Sequence, residues 1–219
     1  MKSLAMFEPK KQIGFTLIEL MIVVVIMGIV LAMGIPNFRT WIENGRIRTG
    51  AESVFNGLNL ARSEAIRRNE SVQFRFDPAF KSTWAICQQD TPTTSTFTLC
   101  TPLGAAATSG NLGNRVIQAR YDDKGSTNVQ VGTDTAMGTL TTALPVALGG
   151  DRVTFDGMGR LVQTIGGAAA NNAVRVDVVN PKLPAAQMRR LVIQISFGGQ
   201  VRLCDPDPGL SATDPRRCT

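Results

Sequence analysis

Two kinds of residue in this 219-residue chain stand where chemistry could happen: four cysteines and one isolated carboxylate. Cys87 and Cys100 bracket 12 residues, Cys204 and Cys218 bracket 13, and none forms a C-x-x-C pair. That pattern disfavours zinc or thioredoxin-type redox use and fits two local disulfide loops in an oxidising compartment. Neighbour pairing is the simplest of three connectivities, and closing a loop of about 15 residues stabilises by roughly 3 kcal/mol. The carboxylate is Glu19. It is the single charge between Phe15 and Ile35, an apolar run of 21 residues without proline. At the centre of an inserted helix a carboxylate costs about 2.5–3.5 kcal/mol. One turn from the start the cost is smaller but still calls for a partner.

Other chemistries are thinly supplied. There is no histidine, which removes His-based metal sites, His general bases and Ser-His-Asp arrangements. With no convergent acid pair either, neither an enzyme nor a cofactor is expected. Asp205, Asp207 and Asp214 lack the EF-hand spacing and its Glu; beside Pro206, Pro208 and Pro215 they read as turn formers, so no metal is expected. The net charge of +6 is below the dense basic loading of a dedicated nucleic-acid binder. Basic residues do gather late: Lys182, Arg189, Arg190, Arg202, Arg216 and Arg217 stand against those three aspartates, a net of +3.

The elements that must position these groups follow from periodicity. Residues 1–14 carry Lys2, Glu8, Lys10 and Lys11, a net +2, which keeps this end in the cytoplasm. The apolar run reaches about 30 Å as a helix, a bilayer's hydrocarbon thickness, and is too long for a signal-peptide core. After Pro36 the pattern becomes amphipathic, with Ile42, Ile47, Ala51, Val54, Phe55, Leu58, Ala61, Ala65 and Ile66 at steps of mostly three and four. The reading is one helix over about 15–69, broken or bent near Gly34-Ile35-Pro36 and softened at Gly45 and Gly50. From residue 71 the period is two. Strands are expected at Ser71–Phe76, Thr83–Cys87, Phe97–Cys100, Arg115–Ala119, Asn128–Val131, Met137–Leu140, Arg152–Phe155, Leu161–Thr164, Val174–Val179, Met188–Ser196 and Gln200–Leu203. Asp156-Gly157-Met158-Gly159 and Gly198-Gly199 read as hairpin connections. The chain thus divides into 1–14, an apolar helix over 15–36, an amphipathic half over 37–70 and an antiparallel β-rich head over 71–219, an α+β protein.

The stretch Gly14-Phe15-Thr16-Leu17-Ile18-Glu19-Leu20 resembles the class III leader of type IV pilins and type II secretion pseudopilins: a short basic leader, Gly, then Phe, then Glu four residues beyond the Phe. The segment Leu58-Asn-Leu-Ala-Arg-Ser-Glu-Ala-Ile-Arg-Arg68, with the later Val153-Thr-Phe-Asp-Gly-Met-Gly-Arg160, is similar to the GspH/FimT/FimU branch of minor pilins and pseudopilins. The resemblance implies the type IV pilin fold, a long N-terminal helix carrying a β-sandwich-like head. It implies a cut between Gly14 and Phe15 by a membrane peptidase, N-methylation of Phe15, an assembly role for Glu19 and a helix kink at Pro36. The free amino group of Phe15 in a neighbouring subunit would then pair with Glu19.

The function so implied is that of a minor pilin in the tip or initiation complex that primes type IV pilus assembly. Its partners would be other minor pilins, the major pilin, the prepilin peptidase/methyltransferase and the inner membrane. Its head would be periplasmic, and later part of an extracellular pilus or a periplasmic pseudopilus. Two alternatives share the helix: a type II secretion minor pseudopilin, and a DNA-binding minor pilin for natural transformation. FimT-like pilins bind DNA through a C-terminal G-R-x-R motif; the matching positions are Gly199-Gln200-Val201-Arg202, where Gln200 departs from it. Arg189, Arg190, Arg202, Arg216 and Arg217 are the candidate contacts, for weak, salt-sensitive phosphate binding without sequence readout.

Overall fold

The computed structural model describes residues 14–77, 81–88, 116–120, 128–135, 149–162, 164–165, 168–169 and 172–218, with the side chains of 33–37, 164–165 and 168–169 left out. The expected strands Phe97–Cys100 and Met137–Leu140 lie outside the described residues. The chain forms two compact units, residues 1–39 and 40–219.

One helix, α1 (Leu17–Arg68), contributes to both units. It runs on through Pro36, so of the break or bend expected there the break is corrected. A proline deletes one N–H from the ladder, and here the helix continues on both sides of that gap. The helix ends as its last residues dictate. Asn69 takes φ +52°, Asn69 N donates to Ile66 O and Glu70 N to Ala65 O, the paired bonds of a Schellman cap with asparagine in the left-handed position.

In the second unit the amphipathic half of α1 is the spine of one core. Ile47, Ala51, Val54, Leu58, Ala61 and Ala65, spaced alternately four and three, are all buried. Two antiparallel sheets meet this stripe. The first has the order β3 (Val116–Arg120), β2 (Trp84–Gln88), β1 (Val72–Phe76), β5 (Arg152–Phe155). The second runs β10 (Val201–Cys204), β9 (Leu191–Ile195), β8 (Arg175–Val179), β4 (Gln130–Asp134). A two-residue ladder joins β6 (Thr164–Ile165) and β7 (Ala168–Ala169).

Register follows the pleat. On the first sheet Phe74 faces Ile86 and Phe76 faces Trp84; on the second Val176 faces Ile193 and Val131 faces Val178, all in the core. Two helical glycines let the sheets approach. A Cβ on Gly50 would stand 2.9 Å from Val129 Cγ1, and one on Gly57 would stand 2.7 Å from Phe74 Cε2.

The outer faces are less exposed than alternation predicts. On β8 all five residues are buried, including the ion pair Arg175 Nε–Asp177 Oδ2 at 2.7 Å. On the first sheet Gln73 Nε2 donates to Thr154 Oγ1 across β1 and β5, both fully buried.

Two expected strands change. Leu161–Thr164 reduces to a bridge, Phe155 with Leu161, followed by β6. Met188–Ser196 begins only at Leu191, because Arg189 N donates to the Asn44 side chain on α1 instead of to a neighbouring strand.

Candidate functional site

The N-terminal segment carries the processing candidates. Gly14 and Phe15 precede the helix, and Phe15 is 84% exposed. Beyond them the apolar side chains from Leu17 through Leu31 are all more than half exposed. A contiguous apolar surface of this extent demands cover, by lipid or by other helices. Among the described residues no helix is long and apolar enough to cross a membrane; the run Phe15–Ile35 extends into 33–37, whose side chains are not described.

Glu19 is not idle. Thr16 Oγ1 accepts from Glu19 N at 3.3 Å, while Glu19 Oε2 accepts from Thr16 N at 3.5 Å. This reciprocal pair is a capping box, which satisfies two of the donors a helix start leaves bare and sets a carboxylate against the positive end of the helix dipole. The signal, Thr-x-x-Glu before an apolar run, is visible in the sequence, yet Thr16 does not figure among the candidates drawn from it. The side chain of Pro36 is not described.

Cys204 and Cys218 form a disulfide, one of the pairings expected from spacing. Cys87 is also disulfide-bonded, and Cys100 lies outside the described residues. The Cys204–Cys218 bridge closes a segment that has almost no core of its own, and its internal bonds are polar: Asp205 N donates to Arg216 O, and Cys218 N to Asp205 O. Among the described residues, Val192 alone joins the two cysteines in a small apolar cluster beneath it.

That segment redefines the arginine candidates. Arg202 Nη2 donates to Pro215 O and to Arg217 O, both at 3.0 Å, so its guanidinium anchors the loop to β10. Arg217 Nη1 donates to Leu210 O. Arg216 forms a bidentate pair with Asp214 at 2.8 and 3.1 Å, which holds the Asp214 carboxyl down at about 2. Arg190 is mostly buried and 4.0 Å from Asp177. Arg189, its neighbour in the segment before β9, is exposed, and its backbone is held by Asn44. Of the five arginines, Arg202 and Arg217 hold the loop, Arg216 is paired with Asp214 and Arg190 is mostly buried, which leaves Arg189 exposed with no side-chain partner among the described residues. Gly199, first residue of the matched motif, has a conformational duty instead: at φ +78° its Cβ position falls 1.8 Å from Gly159 O.

A polar hub also went unseen in the sequence. Glu43 on α1 accepts from Asn180 Nδ2 at 2.6 Å, from Asn128 Nδ2 and from Arg46 Nη1. The next residue, Asn44, donates to Gln187 O and accepts from Arg189 N, clamping segment 180–189 to the start of the head's helix. No local pattern announces such a long-range clamp.

Residues 9–35 match the prokaryotic N-terminal methylation motif, and residues 50–199 match the family described as type II transport protein GspH. A fimbrial protein of Dichelobacter nodosus is 41% identical over 68 residues, 31% of this chain, and the chain spans 42% of that relative's length. Among solved structures, the type IV minor pilin FimU of Pseudomonas aeruginosa is similar at 15% identity, over 74% of this chain and 91% of that one, with a TM-score of 0.43. The minor pseudopilin EpsH of the Vibrio cholerae type 2 secretion system is similar at 13% identity, over 74% and 98%, with a TM-score of 0.38. The chain belongs to the family described as type II transport protein GspH, behind a prokaryotic N-terminal methylation motif.

Proposed function

We propose that the chain is a minor pilin, cut between Gly14 and Phe15, methylated at Phe15 and built through α1 into the tip or initiation complex that primes a type IV pilus. The observation that carries this reading is the bare apolar helix from Leu17 to Leu31, whose one charge, Glu19, stands one turn from the cut. In the single chain Glu19 is satisfied by the capping box. Cleavage adds a free ammonium at Phe15, which the positive end of its own helix disfavours. Packing helices together lets that ammonium meet a neighbour's Glu19, and a buried ion pair offsets its desolvation only when both charges are present. Before assembly the inner membrane covers the helix; afterwards other minor pilins and the major pilin do. The prepilin peptidase/methyltransferase makes the cut. No enzymatic role is assigned to the head.

Two related roles use the same helix. As a type II secretion pseudopilin the chain would prime a periplasmic pseudopilus, and deletion would then stop protein secretion but leave surface pili intact. A DNA-capturing head would have to rely on Arg189 and Arg216, since Arg202 and Arg217 hold the C-terminal loop. The test of the main proposal is mass spectrometry of the protein from envelopes and sheared filaments. It should begin with N-methylated Phe15 in both. A filament-borne chain that still begins at Met1 would overturn the proposal.

A further inference from the structure

Two stretches of the head, residues 58–68 of α1 and the turn 156–160, meet through one guanidinium: Arg62 Nε donates to Gly159 O at 3.0 Å. The hairpin turn 196–200 closes on the same point. A Cβ on Gly199 would stand 1.8 Å from Gly159 O and 3.2 Å from Arg62 Nε. Ile66, one turn beyond Arg62, completes the contact, with its Cδ1 2.7 Å from the Cβ position of Gly159. Both turns are fixed by their own bonds. Asp156 Oδ1 accepts from Met158 N and Arg160 N, and Gly159 N donates to Asp156 O. Gly199 N donates to Ser196 O and Gln200 N to Ser196 Oγ, while Leu161 N donates to Phe197 O and so joins one turn to the other. Gly159 and Gly199 are buried at φ +74° and +78°. The tips beside them carry Met158, 71% exposed, and Phe197, 67% exposed, next to Ile66 at 50%. Turn tips ordinarily take Gly, Asn, Asp or Ser, whereas Phe and Met are the side chains enriched where proteins meet. A rigid backbone that holds them in water lowers the ordering cost of binding. The charged side chains of the turns are already engaged, Arg160 with Asp156 and Arg62 with Gly159 O, so the surface suits an apolar partner rather than an anion. Three side chains fall far short of the roughly 20–30 residues a side of a self-sustaining interface. They suit a contact between chains already held together elsewhere, where the effective concentration is high.

We infer that Ile66, Met158 and Phe197 form a docking surface for the apolar face of a different pilin-like subunit's head, the neighbour of this chain in its filament. The inference rests on the filament reading proposed above, which supplies both the neighbour and the high local concentration. Its recognition chemistry is separate from Glu19. A charge pair between helices admits any processed subunit, while an apolar surface on the head favours a neighbour whose own surface matches it.

The test uses the full chain, expressed beside the parent in cells that make the filament. Met158→Ser/Phe197→Ser removes apolar surface at two exposed positions, so its thermal transition should match the parent's. It should insert in the membrane and be cleaved after Gly14 like the parent. In sheared filaments it should fall about tenfold or more by mass spectrometry, and Met158→Leu/Phe197→Leu should restore incorporation. Phe197→p-benzoylphenylalanine, irradiated in filaments, should give an adduct with a different chain that also begins with an N-methylated residue. If the serine variant melts lower than the parent, the adduct decides. Parental incorporation of a stable serine variant would overturn the docking surface alone. An adduct with a second copy of this chain, an adduct with lipid, or no adduct at all would do the same. A parent chain absent from filaments would overturn the filament reading, and the docking surface with it.

Discussion

The same substitution at two glycines of α1 should act with opposite signs. A Cβ at Gly45 meets nothing within 4 Å, so Gly45→Ala should gain the helical preference of alanine, about 0.8–1.0 kcal/mol. A Cβ at Gly57 would sit 2.7 Å from Phe74 Cε2 and 3.0 and 3.1 Å from Trp84 Cζ2 and Cε2. Neither ring can step aside cheaply. Phe74 is fully buried, with its centroid 5.0 Å from Phe76 and 5.3 Å from Trp84, and the indole donates from Nε1 to Ser53 Oγ on the helix itself. Overpacking a fixed core costs about 1–3 kcal/mol. Two ring clashes place Gly57→Ala toward the upper end, and the propensity gain leaves a net loss of about 1–2 kcal/mol. At about 2–4 °C per kcal/mol for a head of this size, Tm should fall by about 2–8 °C for Gly57→Ala and rise by about 2–4 °C for Gly45→Ala. Near-ultraviolet circular dichroism of the full chain in detergent follows both through Trp84. A rise for Gly57→Ala would refute the close packing of α1 on β1 and β2.

Cys204→Ala/Cys218→Ala opens a loop of sequence separation 14 and should cost about 3 kcal/mol in chemical denaturation, with Arg202 then the loop's main tether. Gly199→Ala combines φ +78° with a Cβ 1.8 Å from Gly159 O; it should cost more than about 3 kcal/mol and show as loss of the cooperative thermal transition. Arg67 and Arg68 hydrogen-bond to Glu64 and lower its carboxyl from 4.5 to about 2. Because the folded value lies below the unfolded one, the stability it contributes is full above about pH 4.5 and is lost as pH falls toward 2. The pairs lie at the surface, with Arg67 exposed and Glu64 and Arg68 half-buried, so solvent screening should keep the slope below about 1 kcal/mol, and it should disappear in Glu64→Gln when Tm is measured across that window.

Periodicity carried a good part of the architecture. The helical stripe from Ile47 to Ala65 and strands β1, β2, β5, β8, β9 and β10 were legible because each has one face buried by the same core. Elements whose form depends on remote partners were not. Arg175-Val-Asp-Val-Val179 alternates like a strand with one wet face, but Arg175 and Asp177 are buried against each other, and nothing within five residues can say so. Met188–Arg190 looks like the start of β9, yet Asn44, more than a hundred residues away, takes the backbone first. Pro36 reads as a breaker in a window, whereas the helix on either side continues through it. At the site, Gly14, Phe15 and Glu19 were legible from types and spacing, while the capping role of Thr16 was legible and overlooked. For the arginines, charge is visible in a sequence, but the carbonyls of Pro215 and Arg217 that occupy Arg202 are not.

The claim at the centre of this account is that the charge of Glu19, not its hydrogen bonds, draws the subunit into a filament. Glu19→Gln separates the two, because glutamine also closes a capping box but cannot neutralise an ammonium. Leaving that ammonium buried and alone costs about 3–5 kcal/mol, about two to four orders of magnitude in incorporation. Glu19→Gln should insert in the membrane and be cleaved after Gly14 like the parent, yet be absent from sheared filaments when the two are expressed together and quantified by mass spectrometry. Incorporation of Glu19→Gln at the parental level would contradict the account.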